Sequence, residues 1–298
     1  MPPFRYRVLL LLTLLLLIGV VLLSGRKETP GKREYPKCLI SREDSLQLNR
    51  FWDYAHAHRI DTLSRRERVA IIGRFFMDTP YKGGTLEIHE QEQLVINLRE
   101  LDCVTFVDNV LALTFVDQYG TKSIPNYLRY LQKIRYRDGI ITDYTSRLHY
   151  STDWLYEMQR QQLLTDVTLS CGGIPFPVKV GYISRHHSAY PALVRDTTLI
   201  VRIEAIEKAI NQRKLHYIPK ENIAILSGQI QHGDIILITT KQDGLDTGHV
   251  GIAWEENGKI YLLHASSSQG KVVITSLPLH HYLMGVSSFS GVLVGRQC

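Results

Sequence analysis

The stretch "GHVGIAWEENGKIYLLHASS" (248–267) contains two short runs of strand-forming residues around a turn. The first run is "GHVGIAW" (248–254) and the second is "KIYLLHASS" (259–267), and the "EENG" between them is typical of a tight connection. A third run, "GDIILITT" (233–240), comes shortly before the pair. The pattern predicts an antiparallel sheet in the last third of the chain.

The residues that precede this sheet show mainly helical periodicity. Apolar residues at spacings of three and four predict two helices within 41–77, with Ser64 as an N-cap and Pro80 as the end of the second helix. The sequence therefore predicts an α+β fold in one domain, residues 38–298, with helices first and the sheet last. Other predicted elements are helices at 103–115, 123–136 and 152–162, a short strand in "QLVINL" (93–98), and a strand and a helix within 197–219.

The first 37 residues differ in character from the rest of the chain. The apolar run "VLLLLTLLLLIGVVLL" (8–23) follows two arginines, as in a signal peptide or a membrane anchor, and both alternatives stay open. We therefore predict a signal peptide or anchor at 1–24, a polar linker at 25–37, and an exported, periplasmic domain that is either free or tethered through residues 8–23.

The net charge of +6 is concentrated in this leader, which has seven basic and two acidic side chains. The remaining residues have 28 basic and 27 acidic side chains, so the folded part is almost neutral. A nucleic acid is therefore not an expected partner.

A cysteine stands at the predicted start of a helix in "LRELDCVTFVDNVLALTF" (98–115). Asp102 can act as the N-cap, and this places Cys103 in the first turn, where free amide groups and the helix dipole favour a thiolate. Val104, Val107, Leu111 and Phe115 form the apolar stripe of this helix. A buried structural cysteine would give the same pattern, so the interpretation of Cys103 as a nucleophile requires a base.

Two of the 12 histidines, His249 and His264, lie on the two strands of the predicted hairpin. A turn centred near Asn257 places position 249 opposite 265, so that the two histidines are cross-strand neighbours within one residue of register. A helix cysteine, a strand histidine and a second polar group that orients this histidine form a generalised catalytic triad. Taken singly, each histidine is more typical of an ordinary sheet residue than of a catalytic base.

The four cysteines of an exported chain also allow disulfides. Cys38 and Cys298 stand at the two ends of the predicted domain and are a candidate pair. Cys171, in "TLSCGGIPF", has no base at a recognisable spacing.

The motifs "LDCVTFVD", "HGDIILI", "GLDTGHVGIAW" and "LLHASS", in this order, resemble the NlpC/P60 superfamily of papain-like cysteine peptidases and amidases. With "TPYKGGTLE", "SRLHY" and the nearby "DW", the chain more closely resembles the N-acetylmuramoyl-L-alanine amidase-like family, domain of unknown function 1460. The resemblance covers most of residues 60–297. It implies a papain-like core in which the nucleophile helix packs on the antiparallel sheet, with additional N-terminal helices.

The resemblance implies Cys103 as the nucleophile, His249 as the base and His264 as the group that orients it. The backbone amide of Cys103 is expected to contribute to an oxyanion hole. The implied substrates are amide bonds of peptidoglycan or of muropeptide fragments, and neither a cofactor nor a metal is implied. Candidate substrate-binding residues in or beside the matching motifs are Tyr81, Asp102, Tyr144, Arg147 and Tyr150.

Several alternatives remain open from the sequence. The cleaved bond is either the one between the lactyl group of N-acetylmuramic acid and L-alanine, or one in the stem peptide after γ-D-glutamate. The aromatic and basic segment with Tyr144, Arg147, Tyr150 and Trp154 favours the first.

A thiol acyltransferase would use the same cysteine and histidine. A membrane-tethered wall-binding module without activity is the non-enzyme alternative. A zinc amidase is disfavoured, because "HExxH" is absent and His186-His187 and His280-His281 lack a spaced carboxylate.

Overall fold

The computed structural model describes residues 40–119 and 121–297. Within them, the strands are β1 (Leu164–Asp166), β2 (Ile174–Pro175), β3 (His216–Pro219), β4 (Ile235–Thr240), β5 (Thr247–Glu256), β6 (Lys259–Ser266), β7 (Lys271–Ile274) and β8 (Phe289–Gln297). They form one eight-stranded sheet with the order β2-β3-β8-β4-β5-β6-β7, and β1 pairs with the same edge of β8 as β3 does, further along the strand. All of the strand pairs are antiparallel, which confirms the predicted sheet.

Ten α-helices lie in the described residues, so the α+β class and the additional N-terminal helices are confirmed. The segment 197–219 forms a helix, Thr198–Ile210, followed by strand β3. The helices are α1 (Arg42–Ala57), α2 (Arg65–Phe75), α3 (Cys103–Tyr119), α4 (Ile124–Arg135), α5 (Ser151–Arg160), α6 (Tyr182–Arg185), α7 (Pro191–Arg195), α8 (Thr198–Ile210), α9 (Ile223–Leu226) and α10 (Leu279–Met284).

Helix α2 begins as predicted and ends earlier than predicted. Ser64 and Glu67 form a reciprocal capping box, in which each side chain accepts a hydrogen bond from the other residue's backbone amide. The helix ends at Phe75, before Pro80, and the intervening residues form a turn in which the Asp78 amide donates to the Val272 carbonyl of β7. Pro80 itself forms an isolated bridge with Lys271.

The two faces of the sheet pack against different parts of the chain. Leu237 of β4 and Ile252 of β5 belong to the larger core, together with helices α1 to α4, whereas Ile236 and Ala253 belong to a second core that includes α10. Alternation along each strand therefore separates a face that carries α3 from a face that carries α10.

Helix α3 lies at the centre of the larger core and contacts β5 and β6. Val107, Leu111 and Phe115 of its predicted stripe are buried, but Val104 is 45% exposed. The other faces of the helix are buried as well, through residues such as Phe106 and Leu113. The prediction of a single stripe is therefore too narrow, because this helix is covered on almost all sides.

The predicted strand in "QLVINL" is wrong, because residues 93–98 form no strand. Leu94, Val95 and Leu98 are buried as expected, but their segment's carbonyl groups bind side chains instead of a neighbouring strand. The carbonyls of residues 93 and 95 accept hydrogen bonds from the Tyr136 hydroxyl and the Arg135 guanidinium, respectively. Side-chain donors thus bind the carbonyl groups that a neighbouring strand would bind in a sheet.

Three predictions are not tested here and stay predictions: the signal peptide or anchor, the pairing of Cys38 with Cys298, and the papain-like type of the core. The apolar run 8–23 and both Cys38 and Cys298 lie outside the described residues. In the described part of the chain, no helix is both long and apolar enough to cross a membrane.

Candidate active site

The amino terminus of α3 is fixed by side-chain hydrogen bonds around Asp102. The Asp102 carboxylate accepts from the Thr105 amide at 2.8 Å, and the Asp102 amide donates to the Thr105 hydroxyl at 2.9 Å. This reciprocal cap confirms Asp102 as the N-cap residue. It places Cys103 as the first residue of the helix, partly exposed to solvent.

The Cys103 thiol does not rest as the thiolate that its helix position suggests. Burial of the sulfur and the adjacent Asp102 carboxylate raise the pKa of Cys103 to about 12, although backbone amides near the sulfur act in the opposite direction. At neutral pH the resting side chain is therefore a protonated thiol. Catalysis from this state requires a base that removes the proton as the sulfur attacks.

The hydrogen bond to Cys103 from β5 comes from Val250, the residue after His249. The ladder between β5 and β6 ends at the pair Ile252 and Leu263, so the Val250 amide has no partner on β6. The Ala253 amide donates to Asp234, on the β4 side, and alternation directs the Val250 amide to the opposite side. Cys103 therefore contacts β5 where its pairing with β6 has ended.

His249 and His264 lie next to each other, as predicted. His249 Nε2 is 2.6 Å from His264 Nδ1, and the two rings are perpendicular. The predicted register is wrong by one residue: the pair Ile252 and Leu263 places position 249 diagonally across from 264 rather than opposite 265. This shift puts both histidines on the same face of the sheet.

Gly251 makes the close approach of the two histidine strands possible. A Cβ atom at this position would lie 3.0 Å from the His264 Cβ and 2.9 Å from the Leu263 carbonyl oxygen. A larger residue would therefore push His264 away. This contact gives a physical reason for the second glycine of "GHVG".

Both histidines are neutral at physiological pH. Burial lowers the pKa of His249 to about 4, and burial together with the charge of His249 lowers the pKa of His264 to about 3. If Nε2 of His249 carries its proton and donates to His264, Nδ1 of His249 is left as the acceptor that a base needs. The described residues give this nitrogen no hydrogen-bond partner, and Cys103 does not bind it in the resting arrangement.

Two tyrosines border the cysteine. The charge of Cys103 contributes to raising the pKa of both Tyr81 and Tyr282, after burial as the larger cause. Tyr81 is among the site residues expected from the sequence, but Tyr282 of α10 is not. Its ring lies 5.5 Å from that of His264. The only sequence signal for Tyr282 is its place in "LHHYLM" after the sheet, which is too weak to indicate a site.

The remaining candidate residues, Tyr144, Arg147 and Tyr150, are held by contacts with other groups of the protein. Tyr144 and Arg147 line a cavity of about 370 Å³ that none of Cys103, His249 and His264 lines. The Arg147 guanidinium is already bound to two carboxylates, Glu92 at 2.7 Å and Glu87 at 2.5 Å.

Tyr150 is 3% exposed and serves a structural contact. Its hydroxyl donates to Glu207 of α8 at 2.7 Å and accepts from the Ile183 amide of α6 at 3.1 Å. Both partners belong to the protein, so this hydroxyl connects two helices to the "SRLHY" segment. A substrate-binding role for Tyr144, Arg147 and Tyr150 stays a prediction.

A smaller pocket reaches the residue that follows the cysteine, although none of Cys103, His249 and His264 lines it. It has a volume of about 40 Å³ and is lined on the α3 side by Val104, the neighbour of Cys103, and on the sheet side by Val250. Trp154, expected from the sequence to offer a flat face to a sugar, lies in this pocket and is 7% exposed. For metals, no three His, Cys, Asp or Glu side chains in the described ranges are grouped as ligands.

The chain is similar to proteins of known structure. A family model described as N-acetylmuramoyl-L-alanine amidase-like matches residues 71–289. A crystal structure of an N-acetylmuramoyl-L-alanine amidase from Bacteroides uniformis is 38% identical, with a TM-score of 0.75, over 78% of this chain and 98% of that one. A Bacteroides fragilis protein described as a candidate xylanase is 40% identical, with a TM-score of 0.71, over 76% of this chain and 100% of that one.

A Legionella pneumophila protein assigned to domain of unknown function 1460 is 22% identical, with a TM-score of 0.64, over 86% of this chain and 94% of that one. At this identity the likeness shows the fold alone. No curated protein matches the chain. The family match over most of the folded residues and the Bacteroides uniformis structure confirm the resemblance to the N-acetylmuramoyl-L-alanine amidase-like family. The resemblance to the wider NlpC/P60 superfamily stays a prediction. The chain therefore belongs to the N-acetylmuramoyl-L-alanine amidase-like family.

Proposed function

We propose that this chain is an exported cysteine amidase of peptidoglycan or muropeptide fragments. The bond that it hydrolyses is the amide between the lactyl group of N-acetylmuramic acid and L-alanine. Family membership and the name of the Bacteroides uniformis enzyme support a cell-wall hydrolase. The observation that carries the cysteine mechanism is the position of His249. It lies on the strand whose Val250 amide contacts Cys103, and its Nε2 is 2.6 Å from His264 Nδ1 on the next strand.

In the first half of the reaction, the Cys103 sulfur attacks the lactyl carbonyl carbon while His249 Nδ1 takes the thiol proton. Because the thiol pKa is far above that of the imidazole, proton removal accompanies attack rather than preceding it. The Cys103 amide is one donor for the developing oxyanion, and the hydroxyl of Tyr81 or of Tyr282 supplies a second. The amide C–N bond then breaks, and the L-alanine nitrogen leaves with the proton from His249.

In the second half, the lactyl thioester is hydrolysed. His249 accepts a proton from water, and the resulting hydroxide equivalent attacks the thioester carbon. The C–S bond breaks, the proton returns to the sulfur, and the carboxylic acid leaves. His264 holds the base in orientation through both halves, as the third member of a triad does.

The products identify the bond. The purified full-length protein, incubated with defined muropeptides, is expected to release N-acetylmuramic acid and an intact stem peptide that begins with L-alanine, as measured by mass spectrometry. Fragments still joined at the lactyl amide but cut after γ-D-glutamate would contradict the amidase and indicate the endopeptidase. Transfer of an acyl group to an added lipid or amine, without net hydrolysis, would indicate the acyltransferase.

The pH dependence tests the neutral state of the histidine pair. The folded-state pKa of His249 is lowered to about 4, so the base stays neutral, and active, until the pH falls through that value. We expect kcat/KM at pH 5.5 to be within about twofold of its value at pH 7, whereas an ordinary imidazole with a pKa of about 6.5 would lose most activity. Circular dichroism at each pH controls for unfolding. An acid limb centred near pH 6.5 would contradict the buried, neutral base.

Export and tethering are part of the same proposal. The apolar run 8–23 and the almost neutral folded part support a location outside the cytoplasmic membrane, with residues 25–37 as the linker. Fractionation that finds the protein in the cytosol would contradict this placement.

A further inference from the structure

The cavity of about 370 Å³ that Tyr144 and Arg147 line is not used by the reaction proposed above. It lies between three segments, 86–95, 142–147 and 192–199, and no residue of α3 or β5 lines it. Its volume is within the range of about 300–1,000 Å³ that is typical of sites for small molecules. We call it the acidic cavity, for the charge of its walls.

Carboxylates outnumber cations around the acidic cavity. Its charged lining residues are Glu87, Glu90, Glu92, Asp143, Asp196, Arg147 and Arg195. Arg202, which does not line the cavity, binds Asp143 from outside, and Arg195 donates to a backbone carbonyl, that of residue 90, at 3.1 Å. The walls therefore have more negative charge than their own arginines can balance.

Ion pairs within the protein neutralise only part of this charge. Arg147 holds Glu92 with two hydrogen bonds, of 2.7 and 2.9 Å, and binds one oxygen of Glu87 with its remaining amino group. In the described ranges of the chain, neither Glu90 nor Asp196 forms an ion pair. These carboxylates, and the second oxygen of Glu87, are left as acceptors without a cation.

One buried polar group at the cavity also has no partner. Tyr144 is 4% exposed, and its ring packs against the ring of His149 at 4.3 Å and the guanidinium of Arg147 at 5.2 Å. Among the residues that the structure describes, none forms a hydrogen bond with its hydroxyl. Burial, and after it the charge of Glu87, raise the pKa of this hydroxyl, so a carboxylate with a free oxygen lies near it. A buried hydroxyl without a partner is uncommon and indicates a group from outside the chain.

These acceptors suit an ammonium group better than a metal ion. No three carboxylate, imidazole or thiol groups are gathered as metal ligands in the part of the chain that the structure describes. An ammonium group has three N–H donors, and carboxylate and hydroxyl oxygens at separate points of a cavity can accept them. Leu86, Val95 and Leu199 supply apolar contacts for an attached methylene chain.

We infer that the acidic cavity is a second ligand-binding site, which takes a primary ammonium group on an aliphatic chain. The ammonium group binds the Tyr144 hydroxyl and the free oxygen of Glu87, and Glu90 adds to the attraction. Such a group can come from a free amine or from a diamino acid within a peptide. The inference does not depend on the proposed amidase function.

The test is binding of a matched pair of small probes. Isothermal titration calorimetry uses the full-length Cys103→Ala protein, which excludes turnover. The first probe, Nα-acetyl-L-lysine methylamide, has one ammonium group and no carboxylate, and the second, its Nε-acetylated form, is neutral. We expect the ammonium probe to bind about tenfold or more tightly than the neutral one, with a smaller difference at high salt. Equal affinities, or no binding of either probe, would overturn the inference.

Two substitutions locate the bound probe. Glu90→Gln, at an exposed residue, is expected to weaken binding about tenfold, and Tyr144→Phe about fivefold, because each removes one acceptor and keeps the side-chain size. Glu256→Gln and Tyr156→Phe, at exposed positions away from the cavity, are the matched controls and keep the wild-type affinity. Unchanged binding in Glu90→Gln and Tyr144→Phe would place the probe elsewhere and end the assignment to this cavity.

Displacement of the bound probe distinguishes the two sources of the amine. If a muropeptide with lysine in its stem displaces the probe and the same muropeptide with Nε-acetyl-lysine does not, the site takes an amine of a peptide. If neither displaces it, the site takes a free amine. Because calorimetry requires no turnover, hydrolysis without probe binding would overturn this inference alone, and probe binding without hydrolysis by the wild-type protein would overturn the proposed function alone.

Discussion

Replacement of Cys103 by alanine is expected to lower kcat for muropeptide hydrolysis by about 10³-fold or more, with the fold retained. The sulfur is the only proposed nucleophile, and removal of one member of a nucleophile and base pair typically costs about this much. The side chain is partly exposed at a helix start whose cap depends on Asp102 and Thr105, not on the thiol. Rates of product release, together with circular dichroism spectra, measure both parts of this expectation.

Cys171 offers a matched control. It is a free cysteine like Cys103, but it is buried and donates to the Gln229 carbonyl at 3.4 Å, away from the histidine pair. Cys171→Ala should keep the wild-type kcat even if some stability is lost with the buried sulfur. Full activity in the Cys103→Ala protein would end the cysteine mechanism, and equal losses in the two variants would indicate a general effect on folding.

The parts of the fold that the sequence predicts well depend on local patterns. The capping box at Ser64 and the cap at Asp102 involve residues three apart, so their signals lie within a single turn of helix. The hairpin at 248–267 is similar, because its turn and its two strands are contiguous. Even there, the predicted register is wrong by one residue. The register depends on which two residues occupy the centre of the turn, and the positive φ angles of Asn257 and Gly258 place the centre at this pair rather than at Asn257 alone.

The predictions that fail depend on contacts between distant residues. The segment "QLVINL" has the composition of a strand, but its carbonyls accept from residues about 40 positions later in the chain. An arginine at position 147 is typical of a cation that binds a substrate carboxylate. Glu87 and Glu92, 60 and 55 positions away, already bind it. Sequence periodicity has no information on such pairs, since either partner alone is equally typical of an exposed side chain.

The charge state of Cys103 is another property that the local sequence does not determine. A position at a helix start favours a thiolate, and the structure keeps this contribution through the amides near the sulfur. Burial by surrounding residues and the Asp102 charge outweigh it. Only the three-dimensional environment decides between these opposing effects, and it favours the neutral thiol.

The two histidines should differ in their effect on the rate. His249→Ala is expected to lower kcat by about 10³-fold or more, because no other described imidazole in the site has an unoccupied nitrogen on the strand that contacts Cys103. His264→Ala should lower it less, since His264 contacts only the far nitrogen of the base and has no proposed contact with the sulfur. His264→Asn should recover part of the loss, because the asparagine carbonyl can accept the His249 Nε2 proton in place of the imidazole.

The value of kcat and its pH dependence, measured for each variant, distinguish the base from the orienting group. His187→Ala, at an exposed histidine outside the site, is the matched control and should keep the wild-type kcat. A loss in His264→Ala as large as that in His249→Ala, with no recovery in His264→Asn, would mean that the two roles are exchanged. If instead the orienting role is correct, His264→Ala retains a slow reaction whose acid limb moves towards the ordinary imidazole pKa of about 6.5, because the smaller side chain admits water to the buried base.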